Sequence, residues 1–245
     1  MSFLNIEAEL SLAIGALGGQ RVTEVLGLKN ANENADFMFR EEAVIAELKV
    51  LSEDQITKEP FAEKMSALYH KYVARGEVPS PPPGKSWFNT ESVPESLRRE
   101  IAELYAVPVY RRIRKANSQI EATAAQLGGE WKGVLIIAND NNTAMNPYGL
   151  RWTLGECFRN EDLPFIDHVV AFTANLPART PVTQEPALFW YSARAGSGKR
   201  DLRAFAQQLR DAWMAHMASK FGLTRQYEAD DGILEGMKNI PGKVQ

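Results

Sequence analysis

The chain has 245 residues, of which 44% are hydrophobic and 24% are charged, and its formal net charge is −3 at pH 7. This composition is typical of a globular protein and excludes a disordered chain, while the negative net charge excludes a basic coat over the whole surface. The single cysteine, Cys157, excludes an internal disulfide framework and an all-cysteine metal site.

The chain shows no pattern that predicts a membrane or secretory protein. Its apolar runs are shorter than the roughly 18 to 20 residues that a membrane helix needs. The N-terminal sequence MSFLNIEAEL carries acidic residues and lacks a basic segment before an apolar stretch, so it does not match a secretory signal. We therefore expect a cytoplasmic protein without a membrane partner.

The first part of the chain predicts one helix followed by three strands. Apolar residues recur at helical spacing over 4–17 and predict a helix there, which ends at Gly18. Strand patterns cover 21–28, 35–39 and 43–51. The connection at 40–42 is short enough for an antiparallel hairpin between the second and third strands.

The remainder of the chain predicts helices, a proline-rich insertion and further strands. Helical patterns cover 58–75, 95–106, 109–127 and 201–221, and strand patterns cover 133–140, 166–176 and 187–194. The segment VPSPPPGKSWFN (78–89) cannot continue a helix or a central strand because it is rich in proline. We expect one domain over 1–245, with a core over about 1–58 and 99–194, an insertion over about 77–96 and a C-terminal helical region over about 200–245.

This order of elements predicts the fold class. A helix, three strands, helices and a further buried strand form an α-β-β-β-α-β core, which C-terminal strands and a helix extend. We therefore expect an α/β protein with a mixed central β-sheet that is flanked by helices.

Charged residues in the predicted hairpin carry the main functional signal. Side chains of the strand at 43–51 alternate between two faces, so Glu47 and Lys49 share the face opposite the apolar residues. Hairpin pairing brings Asp36 near Glu47, and two adjacent carboxylates repel unless a proton or a cation lies between them. Mg²⁺ prefers carboxylate oxygens and water, which predicts a Mg²⁺ site at a hydrated sheet edge. Lys49 is positioned there to hold an attacking water or a phosphate oxygen.

This pattern resembles the PD-(D/E)XK nuclease superfamily, whose members share the restriction-endonuclease-like fold. The matching residues are Asp36 and the triplet Glu47-Leu48-Lys49. One departure is Ala35, which precedes Asp36 where the name of the superfamily has proline.

Two helices of the chain extend the resemblance. In the family, a helix that carries a polar residue toward the active site precedes the next core strand, and Gln119 and Lys115 match that place. Members similar to archaeal Holliday junction resolvases also carry a glutamate on the N-terminal helix. Glu7 fits that position, and Glu9 is the competing choice.

The resemblance implies a metal-dependent nuclease that hydrolyses phosphodiester bonds, with DNA as the expected substrate and endonuclease as the expected type. It implies that Asp36 and Glu47 bind Mg²⁺, for which Mn²⁺ can substitute, with Glu7 as an outer ligand. Lys49 and Gln119 complete the catalytic set. The residues expected to contact phosphates are Arg111, Arg112 and Lys115. A homodimer is a further expectation, because restriction-like enzymes often act as dimers.

A second hypothesis is a non-catalytic module that binds nucleic acid or assembles a complex while retaining the same fold. A separate interpretation, without any site, is that Glu47 and Lys49 form a solvated strand face and that Asp36 is a turn or cap residue. The presence of all three charged residues favours the enzyme, because a binding module has little use for the complete set.

Overall fold

The computed structural model describes residues 4–27, 33–52, 58–80, 93–143, 145–175, 178–179, 186–195, 200–222 and 238–239. Its helices are α1 (Ile6–Ala16), α2 (Val22–Leu26), α3 (Glu59–Ala74), α4 (Glu95–Leu127), α5 (Pro147–Asn160) and α6 (Arg203–Phe221). Its strands are β1 (Gln20–Arg21), β2 (Phe37–Phe39), β3 (Val44–Leu51), β4 (Lys132–Asp140), β5 (His168–Ala174), β6 (Ala178–Arg179), β7 (Pro186–Ala187), β8 (Trp190–Arg194) and β9 (Lys238–Asn239).

A mixed six-stranded sheet with the strand order β1-β2-β3-β4-β5-β8 forms the centre of the fold. The strands β3, β4 and β5 are parallel, while β1, β2 and β8 pair with their neighbours in antiparallel fashion. Parallel neighbours need a crossover, which α4 provides between β3 and β4 and α5 between β4 and β5. The predicted mixed α/β fold is confirmed, with α2 and α5 added to the predicted helices. The strands β7, β6 and β9 form a separate small sheet.

Helices cover both faces of the central sheet. On one face, α1 and α6 pack in an apolar cluster that includes Leu10, Ile14, Ala46, Leu48, Leu209 and Trp213. On the other face, α4 and α5 pack in a cluster that includes Ile45, Leu51, Ile113, Ile120, Leu135 and Leu154. The C-terminal helix α6 is therefore part of the core, and β3 lies inside the sheet with a helix layer on each side.

The predicted strand at 21–28 is mostly wrong. Only Gln20–Arg21 is extended, and the chain then turns into the short helix α2. This helix ends at Gly27, whose φ of 64° lies in the left-handed region that glycine adopts without strain. The β-branched residues of this segment led to the strand prediction. In the structure Val22 is buried and the chain turns at Gly27, and the segment between them is helical.

Two helices also differ from the prediction. α4 is continuous through Pro108, where the sequence predicts two separate helices. Proline removes one intrahelical hydrogen bond, but Ala106 and Val109 are buried on either side of it and hold the helix in place. α5 is absent from the prediction, although Asn146 caps it by accepting a hydrogen bond of 2.7 Å from the Gly149 amide.

A small satellite cluster joins α3 to the N-terminal half of α4. Its buried side chains include Tyr72, Leu97 and Ile101, and the Tyr72 hydroxyl donates a hydrogen bond of 2.8 Å to Glu100. Most of the predicted proline-rich insertion lies outside the described residues, at 81–92. Among the helices of the described segments, none combines the length and the apolar character needed to cross a bilayer.

Candidate functional site

The charged residues of β3 lie under α4, in the interior of the fold. Because strand side chains alternate, Ala46 and Leu48 face α1 and α6, whereas Glu47 and Lys49 face α4. Glu47 is only 2% exposed, and the Lys49 side chain is 13% exposed. The predicted face assignment is confirmed, but the predicted hydrated edge is wrong, because β3 is an inner strand that α4 covers.

The β2–β3 hairpin brings Asp36 beside Glu47. Phe37 lies opposite Ala46 in the antiparallel ladder, so the preceding residue, Asp36, lies near Glu47. The Leu48 amide donates a hydrogen bond of 2.9 Å to Asp36 Oδ2, which fixes the carboxylate against β3. The Asp36 carbonyl oxygen accepts a hydrogen bond of 3.0 Å from the Val22 amide. The structure thus joins the two predicted carboxylates.

Lys49 connects Glu47 to α4. Its ammonium donates a hydrogen bond to Glu47 Oε1 and a second one, of 2.6 Å, to Gln119 Oε1. Gln119 is 7% exposed, and it reaches β3 because it lies on the buried stripe of α4. The predicted residues Asp36, Glu47, Lys49 and Gln119 therefore form one contiguous group.

The electrostatics of this group centre on Glu47. Burial, followed by the charge of Asp36, raises the pKa of Glu47 to about 8, and the opposing effect of Lys49 is smaller. Glu47 Oε2 is buried and has no hydrogen-bond partner. An unpaired buried carboxylate oxygen is costly, so this atom calls for a proton or a cation.

The available donor atoms fit a divalent cation. Asp36 uses Oδ2 to accept the Leu48 amide, and Glu47 uses Oε1 to accept Lys49, so each carboxylate retains an oxygen. These are hard anionic ligands, and Mg²⁺ usually completes its octahedral shell with several waters. Within the described ranges, no three or more His, Cys, Asp or Glu side chains cluster around a common point. An ion at this place would depend on two carboxylates and water.

The N-terminal helix does not supply the predicted third carboxylate. Glu7 is exposed on α1, and α1 covers the face of the sheet opposite to Glu47, so the proposed outer-ligand role of Glu7 has no geometric basis. The competing choice, Glu9, is engaged elsewhere. It accepts hydrogen bonds from Lys220 and, at 2.7 Å, from His216, and these two contacts lower its pKa. Glu9 thus ties α1 to α6.

The predicted phosphate-binding residues differ in their surroundings. Arg112 is partly buried, and its guanidinium donates a hydrogen bond to the Val50 carbonyl oxygen, which anchors α4 to β3. Arg111 and Lys115 are exposed on α4. Lys115 lies one helical turn before Gln119, so its exposed side chain lies close to the candidate site.

Two residues at the site were missed by the sequence analysis. Thr123 is fully buried on α4, one turn after Gln119, and Asn34 is 5% exposed just before Asp36. Gln119 Nε2 donates a hydrogen bond of 3.0 Å to the Asn34 carbonyl oxygen. The signal available in the sequence was the spacing of Gln119 and Thr123, which places both on one side of the helix.

Comparison with protein-family models, curated proteins and solved structures finds no significant match to this chain. The resemblance to the PD-(D/E)XK superfamily therefore stays a prediction from the sequence, drawn from Asp36, Glu47 and Lys49 and from the order of the core elements.

Proposed function

We propose that the protein is a metal-dependent nuclease that hydrolyses phosphodiester bonds, and specifically a cytoplasmic endonuclease acting on DNA. The observation that carries this proposal is the pair of adjacent carboxylates, in which Glu47 Oε2 is buried without a partner and an ammonium lies alongside. The charge of Asp36 weakens the ion pair of Lys49 with Glu47, because it raises the pKa of Glu47 and so disfavours the ionised carboxylate.

The metal-binding residues in this proposal are Asp36 and Glu47. Bound Mg²⁺, or Mn²⁺ in its place, would activate water for attack and stabilise negative charge on the phosphate. Asp36 is held by the Leu48 amide at 2.9 Å and does not need to move to take part. Glu47 must lose its proton before it can bind the ion. Because the pKa of Glu47 is raised to about 8, activity near neutral pH depends on this loss.

Lys49 supplies the fixed positive charge of the site. Its ammonium has three donors, of which two are directed at Glu47 and Gln119. The third donor is available to a water or a phosphate oxygen, so Lys49 can orient the nucleophile and offset charge in the transition state. Gln119 holds the ammonium in place at 2.6 Å. The exposed residues Arg111 and Lys115 supply contacts to the DNA backbone.

One observation favours the alternative of a non-catalytic module that binds nucleic acid or assembles a complex. The chain of hydrogen bonds from Glu47 through Lys49 to Gln119 joins β3 to α4, which is a use that requires no catalysis. The two functions differ in their response to metal. Only the nuclease requires Mg²⁺ to act and loses activity when Lys49 is replaced.

The test is Mg²⁺-dependent cleavage of supercoiled plasmid DNA and of RNA by wild type and by Lys49→Ala. We expect the variant to lose about 10²-fold or more in rate, because it lacks the charge that stabilises the transition state. Lys71→Ala is the matched control, since Lys71 is ion-paired with Glu100 at 2.8 Å on the distant helix α3. Equal cleavage by wild type and Lys49→Ala would refute the role given to Lys49.

A second measurement tests the metal site directly. Calorimetry with Mn²⁺ should show weaker binding to Asp36→Asn than to wild type, because the substitution removes an anionic ligand. Unchanged affinity would mean that Asp36 is not a ligand. Absence of both metal binding and cleavage in the wild type would favour the non-catalytic alternative.

A further inference from the structure

Side chains on one face of α4 form hydrogen bonds with both polar atoms of the Asn34–Ala35 peptide group, which comes just before Asp36. The carbonyl oxygen of Asn34 accepts a hydrogen bond of 3.0 Å from Gln119 Nε2. The amide of Ala35, which belongs to the same peptide unit, donates a hydrogen bond of 2.7 Å to Thr123 Oγ1. Two side chains one helical turn apart therefore hold a single peptide group, and Asp36 is the next residue along the chain.

The Thr123 hydroxyl is itself held in one orientation. It donates to the Gln119 carbonyl oxygen at 2.8 Å, and Asn34 Oδ1 lies at 3.3 Å as a second acceptor. Thr123 has no exposed surface, and Ala35 is also fully buried. Because water cannot replace a lost partner there, the hydroxyl is essential to satisfy the Ala35 amide.

We infer that Thr123 is a positioning residue of the candidate site: with Gln119 it clamps the Asn34–Ala35 peptide and so keeps the Asp36 carboxylate beside Glu47. This inference rests on the proposed function, in which Asp36 is a metal ligand. The hydrogen bonds of the Thr123 hydroxyl in the described structure go to neither carboxylate, so we assign it an effect through the backbone that leads to Asp36. Residues of this kind orient ligands without touching the metal.

The clamp, which Gln119 and Thr123 form on the Asn34–Ala35 peptide, also links Lys49 to the segment that carries Asp36. Gln119 uses Oε1 for Lys49 and Nε2 for the Asn34 carbonyl oxygen, so one amide group positions both the ammonium and the segment that carries Asp36. Thr123 completes the grip from the next turn of the helix. Removing the hydroxyl therefore releases one end of the peptide and leaves the ammonium contact in place.

The test compares Thr123→Val, which deletes the hydroxyl and keeps the shape, with Thr123→Ser, which retains it. Thr173→Val is the matched control. Thr173 is equally buried, and its hydroxyl also accepts a backbone hydrogen bond, of 2.8 Å from the Phe189 amide, but it lies on β5. Both valine variants leave one buried amide without a partner, so their loss of stability should be similar.

We expect only Thr123→Val to lose metal affinity and cleavage rate. Calorimetry should show about tenfold weaker Mn²⁺ binding, and kcat for DNA cleavage should fall by about tenfold with KM for DNA unchanged. KM should not change because a fully buried hydroxyl cannot contact the nucleic acid. Thr123→Ser should restore both values, and Thr173→Val should match wild type. Equal effects of the two valine variants, or none in Thr123→Val, would overturn the inference.

A readout without metal separates this inference from the proposed function. The Leu48 amide is hydrogen-bonded to Asp36 Oδ2, so its hydrogen exchange in EDTA-treated protein reports where the carboxylate lies. Exchange should be faster in Thr123→Val than in Thr173→Val. If it is faster while wild type neither binds Mn²⁺ nor cleaves DNA, the clamp stands and the nuclease proposal fails. If exchange is the same in the two variants, the clamp itself is refuted.

Discussion

Lys49 Nζ lies 2.6 Å from Gln119 Oε1. This hydrogen bond joins β3 to the long helix α4 at a charged site inside the protein. Seventy positions separate these residues along the chain. The contact holds the ammonium next to the Glu47 carboxyl group.

Replacing Gln119 with leucine should impair cleavage. The variant removes the acceptor that orients Lys49 and the donor that holds the Asn34 carbonyl oxygen, so both sides of the site lose alignment. We expect kcat to fall by about 10- to 100-fold, the range found when residues supporting an active site are removed. Steady-state cleavage of plasmid DNA measures it. Gln207→Leu, which changes an exposed glutamine of α6, is the control and should retain full activity.

Stability of the metal-free protein should depend on pH through Glu47. The folded-state pKa of about 8 lies above the ordinary value of 4.5, so the folded protein keeps a proton that the unfolded chain releases. The contribution of this protonated carboxyl group to the free energy of unfolding is complete below pH 4.5 and is lost as the pH rises toward 8. We expect the unfolding free energy of wild type, relative to Glu47→Gln, to fall by about 1 kcal/mol per pH unit in this window.

Urea denaturation in EDTA at several pH values measures this difference. Comparing wild type with Glu47→Gln removes the contributions of the titrating groups that do not interact with Glu47, because both proteins share them. Parallel stability profiles for the two proteins would mean that Glu47 has an ordinary pKa in the folded state.

Binding of Mn²⁺ should release a proton near neutral pH. The ion competes with the proton on Glu47, so affinity should rise by up to about tenfold per pH unit until the pH approaches the pKa. Calorimetry at pH 7 in buffers of different ionisation enthalpy counts the protons released. A binding heat that does not depend on the buffer would show that Glu47 is already ionised without metal.

The two glutamates of α1 should behave differently from each other. Glu7→Ala should leave Mn²⁺ affinity and cleavage unchanged, because Glu7 is exposed and lies across the sheet from Glu47. Glu9→Gln should reduce stability by about 1 kcal/mol, because it weakens the contacts with His216 and Lys220. Since these contacts lower the pKa of Glu9, the loss should be present at neutral pH and diminish in acid. Reduced metal affinity in Glu7→Ala would restore the outer-ligand role.

Exposed basic residues of α4 should contribute to DNA affinity through charge alone. Arg111→Ala and Lys115→Ala should each weaken binding to all DNA sequences and reduce the slope of log affinity against log salt by about 1. Arg99→Ala is the control, because Arg99 is exposed on the same helix but lies in its N-terminal half. Fluorescence anisotropy at several salt concentrations, in EDTA to prevent cleavage, gives the slopes. Equal slopes in all four proteins would exclude this face of α4 from the interface.

The sequence predicted the parts of the site that depend on local pattern. Strand alternation placed Glu47 and Lys49 on one face, and the short connection placed Asp36 across the hairpin. Gln119 was also identified, but from the resemblance to the PD-(D/E)XK superfamily, in which a polar helix residue precedes the next core strand; the structure adds that Gln119 is buried.

The remaining features depend on tertiary packing, which periodicity does not encode. Burial of Glu47 follows from the position of β3 inside the sheet, and strand order is a property of the whole fold. The positioning role proposed for Thr123 depends on its hydrogen bond with the Ala35 amide, 88 positions away along the chain. The prediction for Glu7 failed for a similar reason. The spacing of apolar residues in a helix does not show which face of a sheet the helix will cover.

The alignment of β2, β3 and β4 makes assembly of the site all-or-none. Phe37 lies opposite Ala46, so Asp36 meets Glu47 only when the β2–β3 ladder is in register, and Glu47 lies opposite Leu135 in the β3–β4 ladder. A slip of one position would turn Leu48 toward α4 and drive Glu47 into the apolar layer beneath α1. Partly folded intermediates should thus be inert, and heat inactivation should coincide with the cooperative melting of the sheet.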